Sequence, residues 1–440
     1  MKQTRTLVIL ISILMHMNLS AAADEREEAI FGENTVEQKE ELSLKDIPLN
    51  IGGRLSLDGS ATLQESHKIS DTEYKHRTTL YTYLDARPNE ITRAFARIRL
   101  LQPNPSVSSE KQESSGPRFD VDESWIKVAP FERSLFITAG RQHVKFGTGR
   151  FWNPSDFLSQ GFIDPLAIYD YRLGSDLLKI HYPMEKKGWN FYLIIDADHM
   201  GIYKKPGAAV RAEIMGKNSE YSFTAYGREN KPARLAADAS LGLGPIDLHT
   251  ELVFSTLNRT PYYDDESTVK KLKTRDRRQE WIPQVVTGVK YDYQYSDQKH
   301  ISLEVEYFYN GLGYTNRDTE MLALAYQVAQ PLYAGKHYLG SLIILPNPGH
   351  LQNSSFYLSH LLNMSDQSGF VRLSSQTLLY KEMIFELWTS TAYGRAGEFR
   401  FQIPPDLLAS LSSSSDQSPS PVSSFAGVNK AIGATLSLKF

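Results

Sequence analysis

Three arginines share one parity of a short stretch, residues 91–101. Arg93, Arg97 and Arg99 alternate with a second register that carries the apolar residues Ala94, Ala96, Ile98 and Leu100. Successive side chains of a strand point to opposite faces, so this stretch predicts a strand with one charged face. Arginine does not deprotonate in proteins and offers a planar fork to carboxylates and phosphates. Such a face attracts anions or pairs with acidic side chains.

A second basic set follows along the chain. Its members are Arg141, His143, Lys145 and Arg150, and Arg372 adds a charge nearer the C-terminus. The register of Arg141 also carries Leu135, Ile137 and Ala139, and a bulge at Gly140 would reset the face. Two interpretations of all these cations stay open. They line a pathway for anionic solutes, or they form a structural network with carboxylates such as Asp120, Asp122, Glu304, Glu306 and Glu386.

Glycines and turn residues interrupt the chain just after the second basic set. Gly147 and Gly149 break the strand pattern, and Asn153-Pro154-Ser155-Asp156 has turn chemistry. Nearby aromatic side chains supply enough apolar surface for a loop to pack: Phe151, Trp152, Phe157, Phe162 and Tyr169. We therefore predict a packed loop shaped by Gly147, Gly149, Asn153, Pro154 and Asp156.

The elements that carry these residues are alternating segments of about ten residues separated by turn signals, the pattern of a membrane-spanning barrel. The predicted strands are 49–63, 74–86, 91–101, 118–129, 132–146, 173–183, 188–199, 207–216, 219–228, 234–243, 246–257, 282–296, 299–310, 338–345, 354–363, 369–378, 383–394 and 428–440. Both ends of such a barrel lie on one side, so the strand number is even. The sequence predicts an all-β, transmembrane, antiparallel up-and-down β-barrel of about 18 strands, with 16 as the alternative. Residues 319–329 are rich in Ala, Leu, Met and Glu, and we place them in a loop as a helix.

The final strand is the clearest membrane signal. Ile432, Leu436 and Leu438 fall on one face, and the chain stops at Phe440. Aromatic side chains are favoured at the membrane–water interface, whereas an exposed Phe has no such role on the surface of a soluble protein. We expect this strand to face lipid and to be the one that the barrel-assembly machinery recognises.

Composition excludes several classes of protein. The 440 residues contain 24 Tyr, 20 Phe and no Cys, with a formal net charge of −3. Absence of cysteine removes disulfides, thiol catalysis and cysteine-ligated metals. Mean hydropathy is −0.37, and no long apolar run follows the N-terminus, which argues against transmembrane helices. No serine-elbow, metal-binding or nucleotide signature stands out, so we expect no enzyme, no metal, no cofactor and no nucleic-acid partner.

The chain divides into three predicted parts. Residues 1–23 have a basic start, an apolar run and Ala21-Ala22-Ala23, the pattern of a signal peptide. Residues 24–48 form an acidic periplasmic lead-in, and residues 49–440 form the barrel. Its long extracellular loops are predicted at 147–172, 258–281, 311–337 and 395–427. This organisation indicates a bacterial outer-membrane location.

The run Gly140-Arg141-Gln142, Gly147-Thr148-Gly149-Arg150 and Asn153-Pro154-Ser155-Asp156 resembles outer-membrane porins of the alginate-export type. The stretch from Phe356 to Leu373 is similar as well. The resemblance implies an eighteen-stranded barrel with a basic lumen through which an anionic polysaccharide passes.

We therefore expect a porin for passive passage of small hydrophilic, anionic solutes such as acidic saccharides. The substrate-pathway residues would be Arg93, Arg97, Arg99, Arg141, His143, Lys145, Arg150 and Arg372. Two alternatives remain: a structural or adhesive barrel that acts through surface loops, and an outer-membrane hydrolase built on one of the histidines. The sequence leaves the oligomeric state open.

Overall fold

The wall of the molecule is one antiparallel sheet of eighteen long strands that closes on itself. Each strand pairs with the next along the chain, and the last pairs with the first, with Ser437 opposite Ser56. The computed structural model describes residues 42–44, 47–63, 72–102, 116–159, 166, 172–198, 205–264, 267, 273–296, 299–400 and 430–440. The prediction of an eighteen-stranded up-and-down barrel is confirmed, and the sixteen-strand alternative is excluded.

The wall strands are numbered here in chain order. They are β1 Ile47–Leu63, β2 Glu73–Asn89, β3 Thr92–Gln102, β4 Arg118–Val128, β5 Phe136–Gln142, β6 Ser175–Met184, β7 Trp189–Asp196, β8 Gly207–Met215, β9 Ser219–Gly227, β10 Ala233–Leu243, β11 Ile246–Thr256, β12 Ile282–Ser296, β13 Lys299–Asn310, β14 His337–Pro346, β15 Ser354–Asn363, β16 Ser368–Tyr380, β17 Met383–Gly394 and β18 Lys430–Lys439.

Shorter elements lie beside the wall strands or in the links between them. A three-residue strand, Leu42–Leu44, pairs with β1, and Tyr262–Tyr263 pairs with Thr274–Arg275 in a link outside the wall. Two helical segments of a single turn lie in the described ranges. They are Pro130–Arg133, whose central residues have left-handed backbone, and the 3-10 turn Glu185–Lys187. The one helix of more than two turns in the described ranges is α1, Arg317–Ala325.

The two faces of the wall have opposite chemistry. On the outer face of β10 and β11, Leu235 lies opposite Phe254, and both side chains are well exposed. On the inner face Asp238 lies opposite Glu251, and both are buried. A water-soluble protein has the reverse arrangement, whereas a barrel in lipid needs an apolar outer band and accepts a polar interior. The wall is therefore built to be surrounded by lipid.

The last strand behaves as its alternation predicts. Ile432 is 50% exposed on the outer face, whereas Ala431, Thr435 and Ser437 are buried inside. The backbone of Phe440 continues the pairing, since its N–H donates to Gly53 O at 2.9 Å and its O accepts from Gly53 N at 2.8 Å. The outward face of this strand, inferred from sequence, is confirmed.

The helix α1 lies in the link between β13 and β14 and overlaps residues 319–329, where the sequence predicts a loop helix. Asn316 Oδ1 caps it by accepting from the backbone N–H groups of Asp318 at 2.9 Å and Thr319 at 3.2 Å. Its buried face includes Met321 and Leu324. No helix in the described part of the chain is long and apolar enough to cross a membrane.

One strand departs from prediction. The segment predicted as 132–146 is a strand only over Phe136–Gln142. A left-handed turn occupies Phe131–Arg133, and from His143 the chain leaves the wall. Residues 1–23, most of the acidic lead-in and residues 401–427 lie outside the described residues, so those predictions are not tested.

Candidate functional site

The main feature inside the barrel is residues 143–159, which we call the inward loop. Near its start Phe146 packs in an apolar cluster with side chains of β6 to β9: Leu177, Ile194, Ala209 and Tyr226. Further along, Phe151 and Trp152 pack against inner side chains of β13 to β15: Phe308, Tyr338, Leu342 and Leu361. The loop therefore crosses the interior, from the strands that follow it to strands much later in the chain.

A buried glutamate of β11 binds the first half of this loop. Oε1 of Glu251 accepts hydrogen bonds from the backbone N–H groups of Thr148 at 2.7 Å and Gly149 at 2.6 Å. Its Oε2 accepts from the backbone N–H of Ser155 at 3.3 Å and from the Ser155 hydroxyl at 2.8 Å. The carboxylate lies at 0% exposure, so the loop supplies the donors that water would otherwise provide.

A second buried glutamate, on β13, binds the next three residues. Glu306 accepts from the backbone N–H groups of Arg150 at 2.7 Å, Phe151 at 3.1 Å and Trp152 at 2.9 Å. Nε2 of His249 hydrogen-bonds its Oε2 at 3.0 Å. We call Glu251 and Glu306 the carboxylate clasp. Hydrogen bonds to a charged acceptor are the strong ones, so the clasp fixes the loop against the wall.

Two glycines allow the loop to approach the clasp. Gly147 has φ +85°, and a Cβ there would lie 2.0 Å from Asn153 Oδ1 and 2.5 Å from Glu251 Oε1. A Cβ at Gly149 would lie 2.0 Å from the carbonyl oxygen of Trp152. Only glycine fits either position without displacing the backbone.

The turn residues close the loop on itself. Asn153 Oδ1 accepts from the Ser155 hydroxyl at 3.1 Å, and Pro154 is buried in the turn between them. Asp156 Oδ1 accepts from Phe146 N at 3.4 Å, and Asp156 Oδ2 accepts from Arg172 Nη1 at 2.9 Å. One carboxylate thus joins the start of the loop to the segment that returns to β6. This geometry fits the loop-shaping role predicted for these residues.

The arginines of β3 all point inward and all have carboxylate partners. Arg93 makes a two-pronged contact with Asp85, at 2.8 and 3.0 Å. Arg97 Nε donates to Asp122 at 2.7 Å. These pairs, together with Arg99 Nη2 to Asp120 at 3.2 Å, form a row that we call the arginine ladder. Of the two interpretations left open by sequence, the ladder fits the structural network.

Other predicted residues divide between the two faces. Arg372 is inside, 3.0 Å from Glu386, and lies over the Trp388 ring. His143 is also inside, with Nε2 3.4 Å from Asp122. Arg141, by contrast, is directly opposite Ser124 and Asp176 on the register that carries the exposed outer side chains Ile126 and Leu178.

The outward position of Arg141 corrects the pathway prediction. Pairing runs through Gly140 on both sides without a register shift, so no bulge resets the face. Arg141 instead makes a two-pronged ion pair with Asp176 at 2.9 and 3.0 Å. Glu306 also departs from prediction, because its partners are the loop backbone and His249 and not an arginine.

Arg150 differs from the ladder. Its side chain is exposed on the inward loop, and no carboxylate oxygen of the described residues lies within 4 Å of it. Its charge acts on Glu304 and Tyr357 across the interior. Lys145 is likewise exposed on the same loop.

Sequence reasoning missed several inner residues. Glu251 received no role, and neither did Arg234, whose guanidinium lies over the Phe157 ring of the inward loop at 5.2 Å. Arg211 and Asp238, which pair at 3.1 Å, were missed as well. The available signal was parity: each charge shares its strand register with small or polar residues, opposite a register of exposed apolar ones.

The histidines form no hydrolytic arrangement in the part of the chain that the structure covers. Hydrogen bonds join His181 to Asn190, His249 to Glu306 and His360 to Tyr393. No imidazole nitrogen of a described histidine is hydrogen-bonded to a serine hydroxyl.

Comparison with known proteins finds similarity in structure only. No protein-family model matches the chain, and a search of curated proteins finds no match. The crystal structure of Pseudomonas aeruginosa OccK8 (OprE) aligns with a TM-score of 0.53 at 9% identity, covering 90% of this chain and 98% of that one. Acinetobacter baumannii OccAB1 gives 0.53 at 9% identity, covering 90% and 97%. The Pseudomonas aeruginosa outer membrane protein opdK gives 0.50 at 7%, covering 89% and 99%. The chain shares their barrel fold.

Proposed function

We propose that this chain is a bacterial outer-membrane channel for passive passage of small hydrophilic solutes, with a preference for anions such as acidic saccharides. The observation that carries the proposal is the closed barrel with an apolar outer face, a charged inner face and a loop clasped inside it. A loop held across the lumen narrows the passage and places its exposed side chains where solutes pass. The similarity to outer-membrane barrels supports the location, and the resemblance to alginate-export porins supports the solute class.

The preference for anions rests on Arg150. Ion-paired arginines contribute little net field, because their carboxylates cancel most of it. Arg93, Arg97, Arg99 and Arg372 are therefore wall residues that a solute meets as dipoles. Arg150 lies exposed on the loop that narrows the lumen, and no carboxylate oxygen of the described residues lies within 4 Å of it. Lys145 is exposed on the same loop.

The test is the zero-current potential of single channels in a planar bilayer under a salt gradient. We expect the sign that indicates anion preference, and we expect Arg150→Gln to shift it toward cation preference. Arg97→Gln combined with Asp122→Asn is the control, because it removes an arginine from the interior together with the carboxylate that pairs with it. A cation-selective wild-type channel would contradict the anion preference, and absence of conductance would contradict the channel itself.

Export and membrane insertion belong to the same proposal. Residues 1–23 would direct export, and the outward face of β18, ending at Phe440, would present the assembly signal. Replacing Phe440 by Ser in cells should reduce the folded, heat-modifiable form in the outer membrane. Unchanged levels would remove the assembly role from this residue.

A further inference from the structure

Three buried carboxylates meet at the end of the barrel that carries the long loops. They come from separate connections: Glu320 from α1, Asp366 from the turn between β15 and β16, and Glu398 from the link after β17. One oxygen from each lies within 4.8 Å of the other two, and the side chains are between 0% and 3% exposed. We call these three residues the acidic triad.

One oxygen of the triad has no hydrogen-bond donor among the described residues. Glu320 Oε2 is fully buried and has no hydrogen-bond partner, whereas Oε1 accepts from Asn363 Nδ2 at 2.6 Å. A buried carboxylate oxygen without a donor is costly, so native proteins rarely leave one unmatched. This oxygen therefore indicates a missing positive ligand.

The other two carboxylates are held in place by donors. Glu398 accepts from the Tyr338 hydroxyl at 2.8 Å, from Asn363 Nδ2 at 2.8 Å and from the backbone N–H of Leu332. Asp366 accepts from the backbone N–H of Ser368 at 2.7 Å and from that of Glu398. Around a bound metal ion, hydrogen bonds from neighbouring groups hold the ligating carboxylates in place in the same way.

No cation of the protein contacts the triad in the ranges that the structure covers. No Lys, Arg or His nitrogen there lies within 4 Å of its oxygens. The charge of Arg317 reaches Asp366 only from a longer distance. The triad therefore has hydrogen-bond donors but no positive charge at contact distance.

The donor set selects the kind of cation. All the donor atoms are carboxylate oxygens, which suit hard divalent ions and not zinc or copper. Ca²⁺ binds oxygen at about 2.3–2.6 Å, so opposite ligands are nearly 5 Å apart. The three oxygens of the triad lie within 4.8 Å of one another, which fits this arrangement of ligands. Each carboxylate offers one oxygen to the ion in this arrangement, and water completes the set.

We propose that Glu320, Asp366 and Glu398 bind one divalent cation, with Ca²⁺ preferred over Mg²⁺, and that this ion ties three connections of the barrel together. The proposal does not depend on the proposed transport, because the site lies at the loop end and none of its three carboxylates belongs to the inward loop.

Terbium luminescence tests the proposal. Tb³⁺ substitutes for Ca²⁺ at oxygen sites and emits when a nearby tyrosine is excited, and Tyr338 is hydrogen-bonded to Glu398. The full-length chain, purified in detergent and freed of divalent ions with a chelator, is titrated with Tb³⁺. We expect saturable emission at one ion per chain, displaced by Ca²⁺ at lower concentration than by Mg²⁺.

Matched variants locate the site. Glu320→Gln removes a triad charge while keeping the side-chain size, and should weaken Tb³⁺ and Ca²⁺ binding at least tenfold. Asp318→Asn is the control, because it removes a charge from an exposed position of the same helix and should leave the affinity unchanged. Asp366→Asn serves as a second triad variant, and heat-modifiable electrophoretic mobility shows that each barrel is folded.

Three outcomes would overturn the proposal. They are absence of Tb³⁺ and Ca²⁺ binding to the folded wild-type chain at millimolar concentration, equal binding by wild type and folded Glu320→Gln, and loss of binding in Asp318→Asn alone. The first of these would mean that protons neutralise the triad.

Discussion

Two parts of the inner wall stabilise their carboxylates with different kinds of partner. In the arginine ladder, Asp85, Asp122 and Asp120 are neutralised by arginines of β3. In the carboxylate clasp, no arginine or lysine nitrogen of the described residues lies within 4 Å of Glu251 or Glu306, and the partners are backbone N–H groups of the inward loop together with Ser155 and His249. The first arrangement stiffens the wall, and the second positions a separate segment inside the barrel.

The difference teaches that residue type alone does not assign a role in such a barrel. The arginines that stand out in the sequence are largely engaged by their neighbours across strands. Arg150 has no carboxylate oxygen of the described residues within 4 Å, and it belongs to the loop that the glutamates hold. The clasp therefore positions the loop that carries Arg150.

The largest effect is expected from breaking the clasp. Glu306→Ala leaves the N–H groups of Arg150, Phe151 and Trp152 without an acceptor, and should lower the free energy of unfolding by about 4 kcal/mol. Single-channel conductance should rise because the loop leaves the wall. Glu304→Gln, on the same face of β13, is the control. Unchanged conductance in a folded Glu306→Ala barrel would show that the clasp does not position the loop.

A backbone change should break the clasp from the loop side. Gly147→Ala places a Cβ in left-handed backbone and against Asn153 and Glu251, so we expect a loss of about 3 kcal/mol, measured by urea unfolding in lipid vesicles. Gly244→Ala is the matched control, because Gly244 has φ +61° and open space around it. Equal losses in both variants would mean that backbone strain alone, and not contact with the clasp, explains the effect.

Breaking the ladder should affect stability more than selectivity. Arg97→Gln leaves the buried Asp122 with only His143 and the more distant Arg99 as positive partners. We expect this to lower the free energy of unfolding by about 2 kcal/mol. The zero-current potential should change little in the double variant Arg97→Gln/Asp122→Asn, which removes one positive and one negative charge together. A selectivity change as large as that of Arg150→Gln would remove the distinction between ladder and loop.

The fold was predictable because its signals are local. Alternation in segments such as 299–310, and the even strand count, place all eighteen strands. The helix α1 was predictable from Ala, Leu and Met content. The boundaries of β5 were not, because the chain leaves the wall at His143 for partners on β11 and β13 that are distant in sequence.

The site was predictable only in part for the same reason. Gly147, Asn153 and Asp156 carry turn chemistry that can be read locally. The clasp depends on which strand faces the loop across the lumen, and parity says only that Glu251 points inward. Arg141 shows the opposite error, since a basic residue near the end of a strand can pair on the outer surface.

The most direct test uses the absence of cysteine from the chain. Arg150→Cys provides a single thiol on the inward loop, and a bulky methanethiosulfonate reagent is added while single channels are recorded in a bilayer. If the clasp holds the loop in the lumen, modification should produce an irreversible stepwise fall in conductance. Complete modification, verified by mass spectrometry, with unchanged conductance would contradict the account.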